Sequence, residues 1–214
     1  MKRIPEPELM LDAVQARAYA AADFESAHRR YSLLFAKLFP HRPHRARVLD
    51  LGCGPCDVTI RFAKANLGYR FHAVDGSAVM LACAPRHPRI KLINGFIPHL
   101  KLPAKTYDVI LSSSLLHHLP DPQALWQTVR RYSRPGTLVF VLDLRRPATR
   151  VAATKLTKRY SAGEPVVLQR DFFNSLLAAF TPAEVRRQLT TAGLPTLRVQ
   201  TISDRHLAVS GSID

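Results

Sequence analysis

The sequence predicts a single α/β domain, a mostly parallel sheet covered by helices on both faces, and three observations carry that prediction. The first is an apolar run from Val48 to Leu51 that stops in Gly52 and Gly54 and gives way to a helical segment over residues 58–66. That is the order of a strand, a tight turn and a helix. The second is that strand-like and helical segments keep alternating from there to residue 192, as they do in doubly wound sheets. The third is that residues 109–111 and 138–142 are continuously apolar, the pattern of central strands buried on both faces.

With 214 residues, 47% of them hydrophobic, the chain suits one domain spanning 1–214 with a sizeable core. No apolar run is long enough to span a bilayer, and residues 1–8 lack the apolar stretch of a signal peptide, so a cytoplasmic protein without membrane partners is expected. Cys53, Cys56 and Cys83 are odd in number, which argues against a disulfide framework. Cys53 and Cys56 form a C-x-x-C inside the glycine turn, but no second ligand pair with zinc spacing exists, so both are read as turn residues and no metal is expected. The net charge of +15, from 31 Lys+Arg against 16 Asp+Glu, permits an anionic or nucleic-acid partner. The arginines are scattered without an aromatic-interleaved basic run, which does not favour nucleic acid.

In chain order, residues 11–39 read as helix, with Asp12 as N-cap and Tyr31, Leu34, Phe35 and Leu38 at helical spacing up to Pro40. After the first strand and glycine turn, the helix over 58–66 buries Ile60, Phe62 and Ala63. Residues 69–75 form the second strand and end in Asp75, 21 positions after Gly54. Parallel neighbours bring their C-terminal ends to one crevice, and an acid at about this distance is where a ribose-binding carboxylate belongs. The alternative is that Asp75 caps the helix that Gly76 and Ser77 lead into, through Ala84. A short third strand over 90–93 precedes Asn94, Gly95 and Phe96, and Pro98 and Pro103 mark the next loop. The fourth strand, 107–111, runs into Ser112-Ser113-Ser114-Leu115-Leu116-His117-His118-Leu119-Pro120-Asp121-Pro122.

Pro122 opens a helix to Tyr132 whose buried side is Leu125, Trp126 and Val129. Arg134-Pro135-Gly136 ends it, and 137–144 is the fifth strand. Residues 145–180 are an insertion with a basic helix over 149–160, a break at 161–165 and an apolar helix over 171–180. Thr181-Pro182-Ala183-Glu184 is a capping box that opens a helix ending at Ala192-Gly193. Strands over 197–202 and 205–210 are joined so briefly that they form an antiparallel hairpin.

The glycine turn is not a P-loop, because no Gly-Lys-Ser/Thr follows, and a dinucleotide fingerprint needs glycine where Asp57 stands. Asp50-x-Gly52-x-Gly54 at a strand end instead resembles motif I of the class I S-adenosylmethionine-dependent methyltransferases. The block from Tyr107-Asp108-Val109-Ile110 to Leu116-His117-His118-Leu119-Pro120-Asp121-Pro122 is similar to motif IV of the small-molecule type, in the group that contains the quinone-biosynthesis enzymes. The Asn/Asp-Pro-Pro-Tyr/Phe of nucleic-acid amino-methyltransferases and the Pro-Cys of cytosine-C5 enzymes are absent.

The resemblance implies a Rossmann-like three-layer sandwich with a seven-stranded, mostly parallel sheet, an antiparallel last strand and a helical lid. It implies S-adenosylmethionine as cofactor, with Asp50, Gly52, Cys53 and Gly54 at its methionine side and Asp75, Gly76 and Ser77 at the ribose. Asn94, Gly95 and Phe96 would stand at the adenine, and Ser113 and Ser114 would complete the wall. Cys56 occupies the place where the family usually has a third glycine. By the same analogy residues 1–40, around Tyr19 and Phe24, form a lid and 145–180 a cap that selects the acceptor, the alternative for the cap being a dimer surface. The chemistry implied is in-line methyl transfer to a small-molecule acceptor by a monomer or homodimer. His117, His118 and Tyr19 are the catalytic candidates. Adjacent histidines diverge in direction, so one is expected to face the acceptor, and His117 is preferred as base. Two alternatives stand beside this, an RNA or other macromolecule methyltransferase using the basic surface and a non-catalytic cofactor-binding protein.

Overall fold

A computed structural model describes residues 1–6, 12–21 and 25–214, with residues 25–30 as backbone only. Helix α1 (Ala13–Ala21) starts where Asp12 accepts the Gln15 amide at 2.7 Å, and α2 (Glu25–Leu38) follows. The described residues of the segment read as helical over 11–39 are helical at Ala13–Ala21 and Glu25–Leu38; Leu11 and Phe24 lie outside the described residues. Strands β1 (Ala46–Leu51), β2 (Tyr69–Asp75), β3 (Ile90–Asn94), β4 (Val109–Ser113) and β5 (Leu138–Leu144) are parallel. They alternate with α3 (Asp57–Ala65), α4 (Ala78–Ala82) and α5 (Gln123–Tyr132). Helices α6 (Arg150–Ser161), α7 (Val166–Ala178) and α8 (Pro182–Thr191) precede the hairpin of β6 (Arg198–Thr201) and β7 (His206–Ser212).

The sheet order is β3-β2-β1-β4-β5-β7-β6. The expected antiparallel last strand is β7, which pairs antiparallel with both β5 and β6 and so lies inside the sheet, leaving β6 at the edge. Side-chain alternation sorts the continuous apolar strands into two cores. Leu49, Leu51, Ile110, Val139 and Val141 face Trp126, Val185 and Leu189 of α5 and α8. Val48, Val109, Leu111, Phe140 and Leu142 face Tyr31, Phe35 and Phe62 of α2 and α3. The ring of Phe35 lies 5.4 Å from Phe62 and 5.6 Å from Phe140. The second half of α2 thus covers the sheet, and among the described residues of the segment 1–40 expected as lid it is the first part that lies at the site described below.

Helix α7 begins directly after Pro165, five residues before the expected start at Asp171, because proline's fixed φ suits a helix entrance. The capping box forms as read: Thr181 Oγ1 accepts the Glu184 amide at 3.3 Å, and Glu184 accepts the Thr181 amide at 2.7 Å. Glu184 also accepts Arg146 Nη2 at 2.6 Å, joining the end of β5 to α8. Thr181→Ala is expected to cost about 1 kcal/mol, seen as a fall of about 2–4 °C in the thermal unfolding midpoint.

Candidate active site

The strand order changes direction at β1, which has β2 on one side and β4 on the other; the crevice outside the strand ends at such a switch point is where ligands bind in open α/β sheets. A cavity of about 870 Å³ lies there. Its floor is the turn after β1, where the Gly52 and Cys53 amides donate to Val74 O at 2.8 and 3.0 Å. Gly52 has φ +73°, and a Cβ there would stand 2.8 Å from Leu115 Cβ, so both backbone strain and contact exclude a side chain. Cys56, capping α3, is also left-handed at φ +64° and fully buried. That conformation explains why glycine suits the position, and the cysteine adopts it with its side chain packed against Cys53 and Ala73.

Asp75 ends β2. Its Oδ2 accepts the Gly54 amide and its Oδ1 the Ser77 amide, both at 2.8 Å, so one carboxylate braces the two loops that frame the cavity. Each oxygen retains a second acceptor position. Burial raises the Asp75 pKa, against the opposing pull of the two amides. Ser77 caps α4 by accepting the Met80 amide at 3.2 Å. Gly76, Ser77, Gly95, Phe96, Ser113 and Ser114 all line the cavity, joined by Met80 and Ile97.

Two of the expected ligand residues are placed differently. Asn94 is exposed, and its amide donates to the Asp75 and Gly76 carbonyls at 3.0 and 3.1 Å; it buttresses the turn and does not appear among the lining residues. Asp50 lines the cavity, but its carboxylate accepts the Thr59 hydroxyl at 2.6 Å beneath the turn and is 2% exposed. Burial pushes it up to about 6.

The opposite wall is built on β5 and the 3-10 turn Leu116–His118. Asp143, 2% exposed, accepts the Leu116 amide at 2.7 Å and lies 2.5 Å from His117 Nδ1. The other ring nitrogen, Nε2, is 3.5 Å from Glu6 Oε1, which is also 3.3 Å from His118 Nδ1. The rings do not diverge as expected; they stack at 4.2 Å with 34° between planes, both turned to one carboxylate. Burial disfavours charge on His117, yet Asp143 and Glu6 outweigh it and the net shift is upward. Glu6, His117 and His118 each bring a possible metal ligand within 4.8 Å of the others. Glu6 Oε1 thus stands within about a proton-transfer distance of both rings.

The pattern describing the methyltransferase domain family matches residues 48–136. In a solved structure from Aquifex aeolicus, an S-adenosylmethionine-dependent methyltransferase, 16% of aligned residues are identical with a TM-score of 0.68, covering 96% of this chain and 100% of that one. Over nearly its whole length the chain has the fold of that methyltransferase. The plantazolicin methyltransferase BpumL, solved in complex with a substrate analogue and S-adenosylhomocysteine, superposes with a TM-score of 0.71 at 16% identity over 94% of this chain and 91% of that one. Malonyl-[acyl-carrier protein] O-methyltransferase of Halalkalibacterium halodurans is 33% identical over 53% of this chain and 45% of its own length. The trans-aconitate 2-methyltransferase of Deinococcus radiodurans is 33% identical over 49% of this chain and 40% of its own length. The chain thus spans less than half the length of these curated relatives.

The matched residues contain the glycine turn, Asp75 and both histidines but stop before Asp143, and Glu6 lies outside them at the other end. Neither acid was singled out from the sequence. Asp143 carried the same signal that marked Asp75, an acid at the end of an apolar strand. Glu6 carried none. Tyr19 lines the cavity, and burial together with the charges of Asp57 and Asp75 pushes it up to about 12, which keeps its hydroxyl neutral.

Asp50 gives the protein a pH signature. A folded pKa raised to about 6 from the ordinary 3.8 means the native state holds the proton more tightly than the unfolded chain. Its stabilising contribution is full below the ordinary value and is lost as pH rises through about 6. Asp50→Asn is expected to raise stability near pH 7 by on the order of 2–3 kcal/mol and to change little near pH 4, as measured by urea unfolding of the ligand-free protein.

Proposed function

We propose that the chain transfers a methyl group from S-adenosylmethionine to a small-molecule acceptor by in-line displacement. The observation that carries this is the Asp75 carboxylate, which is fixed by the Gly54 and Ser77 amides with acceptor positions left for a vicinal diol. The site fits the cofactor in two further respects: the backbone at Gly52 is reached only because no Cβ stands there, and Met80, Phe96 and Ile97 offer apolar surface for a base. When bound, S-adenosylmethionine supplies a methyl group activated by its sulfonium. What the chain does is bind, orient and exclude water, and holding the reacting atoms about 3 Å apart in line contributes several kcal/mol of the barrier reduction. Asp75, Gly52, Cys53 and Gly54 hold the cofactor; Ser113, Ser114, Gly76, Ser77, Gly95 and Phe96 enclose it.

The first part of residues 1–40 and the 145–180 segment would cover the acceptor half, since Glu6, Gln15, Tyr19, Asp171 and Ser175 line the cavity with His117 and His118. The cavity, at about 870 Å³, is in the size range of small-molecule sites, which favours small molecules over RNA despite the charge of +15. The free thiols of Cys53, Cys56 and Cys83 suit a cytoplasmic setting, and among the described residues no helix is long and apolar enough to cross a membrane. Calorimetry with S-adenosylhomocysteine tests the reading. Micromolar binding is expected, and its absence would refute it.

A further inference from the structure

Residues 1–6 take no part in the sheet, yet they are fastened across the acceptor half of the cavity. The Met1 ammonium donates to Ala148 O at 3.0 Å and the Ile4 amide to Leu177 O at 3.1 Å. Arg3 donates to Ala178 O at 2.5 Å, to His117 O at 2.8 Å and to Leu119 O at 3.0 Å, and its guanidinium lies 4.1 Å from the centre of the Phe180 ring. This anchoring delivers Glu6, whose Oε2 accepts the Ser175 hydroxyl at 3.2 Å and whose Oε1 faces both histidines. We infer that Glu6 takes the proton of the methyl acceptor, and that the acceptor presents a hydroxyl or an ammonium group, not a carboxylate, to the methyl donor. This rests on the methyltransferase reading above.

Asp143, His117 and Glu6 form a chain of carboxylate, imidazole and carboxylate, and the Glu6 side chain is 10% exposed against 3% for His117. Glu6 and His117 both line the cavity, and Glu6 is the more exposed end of the chain. Although the whole protein is strongly basic, among the described residues six carboxylates line this cavity against three guanidinium groups. One of those, Arg61, is held by Asp57 at 3.0 Å. The charged groups acting on Glu6 are His117, Asp143, Asp171 and Arg3, with His118 in contact; the Arg3 guanidinium donates to the Ala178, His117 and Leu119 carbonyls, and an anionic acceptor placed against Glu6 and Asp171 would be repelled. In the step itself a lone pair of the acceptor heteroatom forms the new bond to the methyl carbon, while the carbon–sulfur bond breaks and leaves its electrons on sulfur. A hydroxyl proton passes to the Glu6 carboxylate as the bond forms, whereas an ammonium gives it up beforehand. The proton is then shared with His117 Nε2, where Asp143 stabilises the imidazolium.

Glu6→Gln tests this in two ways. In ligand-free protein with 15N-labelled histidine, the His117 transition should move to lower pH than in wild type, because the Glu6 charge that favours the imidazolium is gone; an unchanged transition would overturn the coupling even if no probe turned over. With labelled methyl donor and phenol, phenethylamine and benzoate as probes, wild type should methylate phenol or phenethylamine in preference to benzoate, and which of the two is used separates hydroxyl from ammonium acceptors. Glu6→Gln should lose about 100-fold or more in kcat, keep its S-adenosylhomocysteine affinity, and lose less with 4-nitrophenol, which is already largely ionised. Preference for benzoate, or an equal loss on phenol and nitrophenol, would overturn the assignment. Failure of wild type to bind S-adenosylhomocysteine would instead refute the parent reading.

Discussion

Asp75→Ala is expected to weaken S-adenosylhomocysteine binding by about 100-fold or more while leaving the protein folded. Each hydrogen bond to a charged carboxylate is worth about 1.5–3 kcal/mol, and each Asp75 oxygen keeps a further acceptor position beside the amide it binds. Losing two such bonds to a diol accounts for the fall. The effect on stability is smaller because two contributions oppose each other. Truncation frees the Gly54 and Ser77 amides, which is unfavourable, but it also removes a carboxylate whose pKa burial raises, a sign that the ionised form is held at a cost. Asp75→Asn keeps one oxygen and should fall between the two proteins. Calorimetry and thermal unfolding on the same samples decide the matter. Affinity and stability falling together would make Asp75 a loop brace and not a ligand residue.

The parts of the fold that were legible in the sequence are those whose physics is local. Continuous apolar strands, the Thr181 capping box, the glycine turn and the acid ending β2 each depend on residues close in the chain, and each forms where read. What was not legible depends on long-range contacts. Ile4 meets Leu177, and Glu6 meets His117, across more than a hundred residues, so no periodicity announces them. The expectation that His117 and His118 diverge follows from chain geometry alone, and it gives way because one buried carboxylate faces both rings. Asn94 was assigned by its place in a motif, whereas the structure spends its amide on the Asp75 and Gly76 carbonyls. Position in sequence locates a residue at the cavity; it does not say which way its polar atoms face.

Asp143→Asn is the second large effect expected, on turnover and not on binding. The amide oxygen can still accept the Leu116 amide, which Asp143 Oδ2 does at 2.7 Å, so the turn keeps its anchor and Asp143→Ala, which leaves buried groups unpaired at about 3–5 kcal/mol, is the wrong variant to use. Facing His117, however, an NH2 group replaces an oxygen. His117 Nδ1 must then accept, its proton moves to Nε2, and that N–H points at Glu6 Oε1, now 3.5 Å away. The ring can no longer receive a proton from Glu6, and the imidazolium has lost its countercharge. A general base contributes about 10²–10⁴ in rate, so kcat should fall about 1,000-fold with S-adenosylhomocysteine affinity unchanged. Stability carries its own sign. His117 is raised in the folded state chiefly by Asp143, once burial is overcome; that contribution is full below its ordinary pKa and is lost as pH rises through the folded value. The gap between wild type and Asp143→Asn in urea unfolding should therefore be widest at acidic pH and close as pH rises. If 15N spectra show the tautomer reversed while kcat stays at the wild-type level, the acceptor proton leaves by another route and the Asp143, His117 and Glu6 chain is structural.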